Sequence, residues 1–324
     1  MDGVTVSILV CTKNRAGPLR ETMESISRAA VPRGWAVEMV VVDNGSIDST
    51  REVVENFRFP WGRARFLCEQ DGGVACARTR ALHAARGEVL LWTDDDVRVP
   101  SDWIERMAAP ILDGSSDALA GGVVFAPGRE RSWMGPCMRA WLASTEALNP
   151  QSPGRMIGAN MAFHRSLVAA VDCFDSNLGP GALGMGEETL FSYQLIEQGY
   201  RIDSAFGVQV QHAFDVARLT VAGFRRIARS MGRSEAYLAY HWHGIETGGA
   251  HWRVLDAYAR LAVWKVRSWF RRPQIPGGLL EGELQALARV AYWTYLRSLK
   301  GRKRVYFPRQ STAPRSKFQT AEPV

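Results

Sequence analysis

Cysteine is scarce in this chain. Five in 324 residues, widely spaced and never in a C-x-x-C pair, exclude a disulfide-built scaffold and a thiolate zinc site. Cys11, Cys68, Cys76, Cys137 and Cys173 therefore read as reduced, mostly buried thiols. No charge-free run reaches the roughly 18 residues that a membrane-spanning helix needs. The opening Met1-Asp2-Gly3-Val4 lacks a basic stretch and a long apolar segment, so no secretory signal is expected and residence in the cytosol is. There is no internal repeat, and low complexity is confined to the basic tail. A hydrophobic content of 46% with 23% charged residues is that of a globular protein with a sizeable core. Charge is divided unevenly: residues 216–324 hold 20 Lys and Arg against 6 Asp and Glu, whereas residues 1–215 hold 20 against 27. An acidic front can house a cation, and a basic rear can face an anionic surface. No nucleic-acid-binding motif accompanies the basic charge, so no nucleic-acid partner is expected.

The hydrophobic pattern alternates between two periods. Residues 5–11, 37–42 and 89–92 are β-branched and apolar and end in polar turns, which predicts buried parallel strands. Between them Leu19, Met23 and Ile26, then Val53, Val54 and Phe57, then Ala77, Ala81, Leu82 and Ala85 fall at helical spacing. Alternation of strand and helix through residue 113 is the mark of a doubly wound α/β sheet. A further strand is expected over 118–125. Residues 126–155 lose the pattern and are rich in Pro, Gly, Trp and Met, with a short helix expected over 137–147. Regular structure resumes over 157–163, with a helix over 187–197 and a strand over 200–210. The rest is expected to be helical, near 220–241, 254–271 and 281–299.

The apolar run Val89-Leu90-Leu91-Trp92-Thr93 leads directly into Asp94-Asp95-Asp96. Adjacent carboxylates repel one another, and a strand end tolerates them when a hard divalent cation or many donors neutralise them. At the carboxyl end of a strand in an open α/β sheet, the anionic ligand bound with such a cation is naturally a nucleotide phosphate. A solvated acidic turn is the alternative. The first strand exits into Thr12-Lys13-Asn14-Arg15 and the second into Asp43-Asn44-Gly45-Ser46-Ile47-Asp48-Ser49, on the same edge. Asp43 is placed to accept a hydrogen bond from a base or ribose; Ser46, Asp48 and Ser49 also read as helix caps. Arg78, in the helix that opens at Gly72-Gly73, can offer a planar charged fork to a base or phosphate, or be a surface arginine.

These motifs, in this order, resemble the family 2 glycosyltransferases. The matching text is Val6-Ser7-Ile8-Leu9-Val10-Cys11-Thr12-Lys13-Asn14-Arg15, Val41-Val42-Asp43-Asn44-Gly45-Ser46, Gly73 to Arg78, Ala84-Ala85-Arg86-Gly87-Glu88 and Asp94-Asp95-Asp96. It continues in Gly158-Ala159-Asn160-Met161-Ala162-Phe163, Phe174-Asp175, Leu178-Gly179 and Gly186-Glu187-Glu188-Thr189. Order and spacing agree over residues 4 to about 235. The resemblance implies a GT-A fold, a Rossmann-like mixed sheet flanked by helices, with a helical C-terminal extension. The expected units are a catalytic domain over 1–215, with its nucleotide-sugar half over 1–125 and its acceptor half over 126–215. A basic helical region over 216–300 and a disordered basic tail over 301–324 follow.

The resemblance also implies roles. Asp43 and Arg78 would contact the base, and Thr12, Asn14 and Arg15 would line the nucleotide pocket. Asp94 would sit near the ribose or donor sugar, Asp96 would bind the metal, Mg2+ or Mn2+, and Asp95 would serve either purpose. His212 would complete the metal shell or contact the diphosphate. Glu188 would be the base that takes the acceptor proton in an inverting transfer, with Glu187 in reserve; family members usually carry Glu-Asp here. Asn160 and Met161 would floor the sugar site, with Gly184 and Gly186 also at the acceptor or donor-sugar pocket; the glycine-rich residues 179–186 themselves read as a flexible lid over the acceptor. The expected partners are a nucleoside diphosphate sugar and a hydroxyl acceptor such as a lipid-linked glycan, in the making of a bacterial surface polysaccharide or glycolipid. A Gln-x-x-Arg-Trp motif is missing, which favours single addition over polymerisation. Two other readings stay open: a sugar nucleotidyltransferase, although residues 11–15 lack a Gly-rich phosphate loop, and a non-catalytic nucleotide-sugar-binding protein at the membrane. Aromatic residues and arginines at helical spacing around Tyr258, Trp264 and Trp293 fit helices lying on an anionic membrane or packed on the catalytic domain.

Overall fold

The computed structural model describes residues 4–70, 72–271 and 280–306. The chain runs β1 (Val6–Thr12), α1 (Ala16–Ser27), β2 (Val37–Asp43), α2 (Thr50–Asn56), β3 (Arg65–Cys68), α3 (Val74–Ala84) and β4 (Val89–Asp94). It continues with β5 (Val97–Arg98), α4 (Trp103–Leu112), β6 (Ala118–Phe125), α5 (Pro136–Trp141), β7 (Asn160–His164), α6 (Glu187–Glu197) and β8 (Ile202–His212). The helices α7 (Val221–His241), α8 (Ala250–Arg271) and α9 (Glu281–Ser298) follow.

The strands form one sheet in the order β3-β2-β1-β4-β7-β6-β8-β5. Alternation along the strands sends side chains to both faces, and both faces are covered. Val6, Ile8 and Val10 of β1 join Met39 and Val41 against Leu19, Met23 and Ile26 of α1 and Trp103 and Met107 of α4. Leu9, Val40, Val42, Leu90 and Trp92 point the other way, against Ala77 and Ala81 of α3 and Phe191 and Leu195 of α6. Each of the larger of these side chains contributes about 1.5–3 kcal/mol by leaving water.

β1 pairs in parallel with β2 and β4, so three carboxyl ends open on one edge: Thr12 lies opposite Asp43, and Cys11 opposite Asp94. β7 runs antiparallel to both β4 and β6, which makes the sheet mixed. Two strands escaped the sequence pattern. β3 is four half-buried residues at the sheet edge, and β5 is two residues paired with the end of β8. The helix expected over 137–147 ends at Trp141, and Ala143 just beyond it takes a positive φ of 71°, which a helix cannot continue through.

The rear helices form a layered group in which α9 packs on both α7 and α8. Buried Glu283 ties them together, accepting from Arg225 Nη2 of α7 at 2.6 Å and from Ser268 Oγ of α8 at 2.6 Å. Gly232 permits the close crossing of α7 and α9, because a Cβ there would overlap the Ala288 carbonyl. Among the described residues no helix is long and apolar enough to cross a membrane. Of the expected tail over 301–324, residues from 307 onward lie outside the described residues, as do Met1 to Gly3.

Asn160 and Met161 require a correction. Neither lines a sugar site: Met161 is fully buried in the core beneath α3 and α6, and Asn160 is fully buried with its amide satisfied inward. Its Oδ1 accepts from Trp103 Nε1 at 3.0 Å, and its Nδ2 donates to the carbonyls of Gly122 and Val208, each at 2.9 Å. Gly121 leaves room for that amide, which a Cβ would overlap. Asn160 thus stitches β7 to the strands on its far side and to α4. Asn160→Ala should lower stability by about 3 kcal/mol, since it strands three buried polar groups. Urea unfolding checks this; a midpoint equal to that of the unsubstituted protein would contradict it.

Candidate active site

The loops after β1 and β2 lock onto each other before any ligand is considered. Asn14 adopts a left-handed φ of 52°, a conformation asparagine tolerates, and its Oδ1 accepts from the Ile47 amide at 2.8 Å. The Asn14 amide donates to Ser46 Oγ at 2.7 Å, and the Ser46 hydroxyl donates in turn to Asp43. Asp43 also accepts from the Ser46 amide at 3.1 Å, so its carboxylate holds the turn in place. The cap of α2 comes from Asp48, which accepts from the Thr50 amide at 3.1 Å and from the Ala16 amide at the start of α1 at 3.1 Å; Ser49 makes no capping bond.

The three aspartates divide by partner. Asp95 is buried and accepts from Thr12 Oγ1 at 2.7 Å, with Arg15 Nε at 3.4 Å. Asp96 is buried and takes Arg15 Nη2 at 2.6 Å. Arg15 is therefore a clamp on the acidic turn. Burial works against its charge, and Asp95 and Asp96 outweigh that effect and hold it protonated. Asp94 is half-buried and faces Arg78 Nη2 at 3.4 Å.

His212 reaches this turn through the sheet. β5 follows Asp96 directly and pairs antiparallel with β8, with Val97 opposite His212, and the Ala213 amide donates to the Asp96 carbonyl at 2.7 Å. His212 Nδ1 lies 3.0 Å from the Leu142 carbonyl, which can only accept, so Nδ1 carries a proton. Nε2 then faces Asp96 Oδ1 at 3.3 Å. Ligand atoms of Asp94, Asp96 and His212 lie within 4.8 Å of one another. Two carboxylates and an imidazole oriented by a carbonyl fit a divalent cation, and an oxygen-rich set suits Mg2+ or Mn2+.

Arg78 links this cluster to α6. Its side chain is buried against the rings of Trp92 and Phe174, which meet edge to face 5.6 Å apart and lie 5.9 and 5.7 Å from the guanidinium carbon. Nη1 lies 3.3 Å from Glu187 Oε1. Gly158 makes the passage: a Cβ there would overlap Arg78 Nη2. Arg78, read from sequence as a contact to the base, is turned instead toward β4 and α6. The loop before α6 docks on the donor side as well, since the Val74 amide donates to the Pro180 carbonyl at 2.9 Å and Gly73 leaves no space for a side chain there. Gly184 and Gly186 both have positive φ, 118° and 96°; Gly184 packs on Ser230 of α7, and Gly186 caps α6.

Glu187 is buried, whereas Glu188 beside it is partly exposed. Arg78 Nη1, Glu187 Oε2 and Glu188 Oε2 are buried together without hydrogen-bond geometry to one another. Burial, aided by the charge of Glu188 and opposed by Arg78, pushes the Glu187 carboxyl up to about 8. Burial likewise raises Asp94, and it pushes Asp95 up to about 7 against the pull of Arg15. Burial opposes ionisation of Asp96 too, but the His212 imidazole and Arg15 hold its carboxyl well below the usual range. The half-buried Cys11 thiol, opposite Asp94, is pushed up to about 12 by desolvation and is inert at neutral pH.

A carboxyl raised on folding contributes stability at low pH and loses it as pH climbs through the folded value. The unsubstituted protein should therefore lose stability relative to Glu187→Gln as pH rises from 4.5 to about 8. Melting curves across that window check this; a constant difference between the two proteins would contradict it.

Comparison with known proteins places this geometry in a family. Residues 7–171 match the glycosyl transferase family 2 profile. The succinoglycan biosynthesis protein ExoM of Rhizobium meliloti is 29% identical over 141 residues, 43% of each chain. The glycosyltransferase AglE of Haloferax volcanii is 27% identical over 121 residues, 37% of this chain and 40% of that one. In each case the match spans less than half of the relative. Among solved structures, the mannosyltransferase PcManGT from Pyrobaculum calidifontis, in complex with GDP-Man and Mn2+, superposes with a TM-score of 0.61 at 18% identity, over 90% of this chain and 86% of that one. Residues 1–349 of S. aureus TarS, in complex with UDP-GlcNAc, give a TM-score of 0.51 at 20% identity over 92% of each chain. The sheet, its covered edge and the ordered motifs agree: the fold is GT-A, and the chain belongs to glycosyl transferase family 2.

Proposed function

We propose that this protein transfers a sugar, with inversion, from a nucleoside diphosphate sugar to an acceptor hydroxyl. The observation that carries this is the junction at Arg78, where the Asp94, Asp96 and His212 cluster meets the two glutamates that open α6. Asp94, Asp96 and His212 would hold Mg2+ or Mn2+, which when bound supplies positive charge to the diphosphate. The locked loops carrying Thr12, Asn14 and Asp43 form the rim on which the nucleoside rests. Arg15 keeps Asp95 and Asp96 in place beneath it.

Glu188 is the base. Glu187 is engaged by Arg78 and buried, so it positions the guanidinium, whereas Glu188 is partly exposed at the helix start. From there Glu188 accepts the hydroxyl proton as the acceptor oxygen attacks the anomeric carbon from the face opposite the diphosphate. Residues 1–215 act as the catalytic unit. The participation of ExoM in succinoglycan biosynthesis, as its name states, supports an acceptor on a growing surface glycan, handled where nucleotide sugars are made, in the cytosol.

Thermal shift with a panel of nucleoside diphosphate sugars should find one that raises the melting temperature only with Mn2+ or Mg2+ present. Asp96→Asn and His212→Ala should each abolish that metal-dependent shift. Glu188→Gln should keep it and lower transfer by at least about 100-fold. Absence of any shift with metal present would refute the donor reading, and unchanged transfer in Glu188→Gln would refute the base.

A further inference from the structure

Helix α8 has two apolar faces, and among the described residues only one of them is covered. Val254, Ala257 and Leu261 are buried, and α9 is the main neighbour of the helix. Trp252, Leu255, Tyr258, Val266, Trp269 and Phe270 are all more than half exposed, Trp269 and Phe270 by more than 70%. At 100° per residue these six fall on one stripe running the whole helix, a length of about 33 Å. The stripe is flanked mainly by exposed cations: Lys265 lies on one side, and Arg253, Arg260, Arg267 and Arg271 on the other, where Asp256 pairs with Arg260 at 2.8 Å. Two of the arginines are set by aromatic rings, Arg253 over Trp293 at 4.6 Å and Arg267 over Trp264 at 5.2 Å.

We propose that α8 lies in the interfacial plane of an anionic lipid bilayer, its aromatic stripe inserted among the acyl chains and its basic flanks at the headgroups. Charge selects this occupant. The stripe sits in the segment that carries 20 basic against 6 acidic residues, so an anionic surface is complementary to its borders. A second copy would instead bring the flanking arginines of both chains together in a closing interface. Tryptophan at both ends of the stripe is the composition of a surface that is apolar below and wet above. The rest of the rear unit supports the pose: Glu283 fixes α8 to α7 and α9, so the stripe is presented as a rigid face. The inference goes beyond the transfer reaction and does not depend on it.

Flotation of the full chain with vesicles tests the proposal without any turnover. The protein should float with vesicles of phosphatidylcholine and phosphatidylglycerol and stay behind with phosphatidylcholine alone, and the bound fraction should fall as salt rises. Two variants, Trp252→Ser with Trp269→Ser and Phe270→Ser, and Lys265→Glu with Arg267→Glu, should each lower the partition coefficient at least about tenfold. Their melting temperatures should match that of the unsubstituted protein, because every altered side chain is exposed. Equal flotation with neutral vesicles, or full flotation of the serine variant, would overturn the proposal. So would a dimer in sedimentation equilibrium that the serine substitutions dissolve while no anionic vesicle binds, since that assigns the stripe to a second copy.

Discussion

A single buried guanidinium sets the architecture of this site. Arg78 has left water, and a cation in that position is stable only against carboxylates held on both sides. Asp94 comes from the end of a sheet strand and Glu187 from the first turn of a helix more than 90 residues later in the chain. Arg78 therefore fastens the acidic turn to the opening of α6, and the halves of the cleft hold their spacing because neither carboxylate can leave without stranding the cation. Gly158, Trp92 and Phe174 make room for it and wall it in.

The second constraint is the short pairing of β5 with β8. Two residues suffice, because they start directly after Asp96 and lie against the end of the longest strand. That pairing delivers His212 to the acidic turn with its Nδ1 already committed to Leu142, so Nε2 is aimed before any cation arrives. Arg15 acts on the same turn from the β1 loop. The acidic cluster is thus stabilised by a clamp on one side and an oriented imidazole on the other, and its members differ in proton affinity because their partners differ.

Much of this was legible in the sequence, for physical reasons. Buried parallel strands must be apolar on both faces, so β1, β2 and β4 announced themselves, and their polar exits located the ligand edge. The helix over 187–197 was read to the residue, because the Gly186 to Glu188 start and the apolar spacing after it agree. The turn at Asp94-Asp95-Asp96 drew attention through its improbable charge density. What stayed hidden were features decided by tertiary partners. A strand of two residues has no period to detect. Asn160 looked like a pocket residue, since nothing local distinguishes an amide that faces a ligand from one that joins three strands and a tryptophan. Arg78 has the same appearance whether it reaches a base or an internal pair of carboxylates, and only the packing of Gly158 against it decides. The fold class, with its mixed sheet and helical rear, followed from the ordered motifs, and the structural likenesses at under 25% identity bear on that fold.

The account turns on Arg78 serving both carboxylates at once, and a double-mutant cycle on folding stability measures this directly. Arg78→Met alone leaves Glu187 and Asp94 without their cation, a loss of about 3–5 kcal/mol at a buried pair, whereas Glu187→Gln alone removes a carboxyl that burial raises to about 8 and shifts stability less. The double variant should then be markedly less destabilised than the sum of the single losses. Additivity within about 0.5 kcal/mol would show that the two side chains do not depend on each other and would contradict the account.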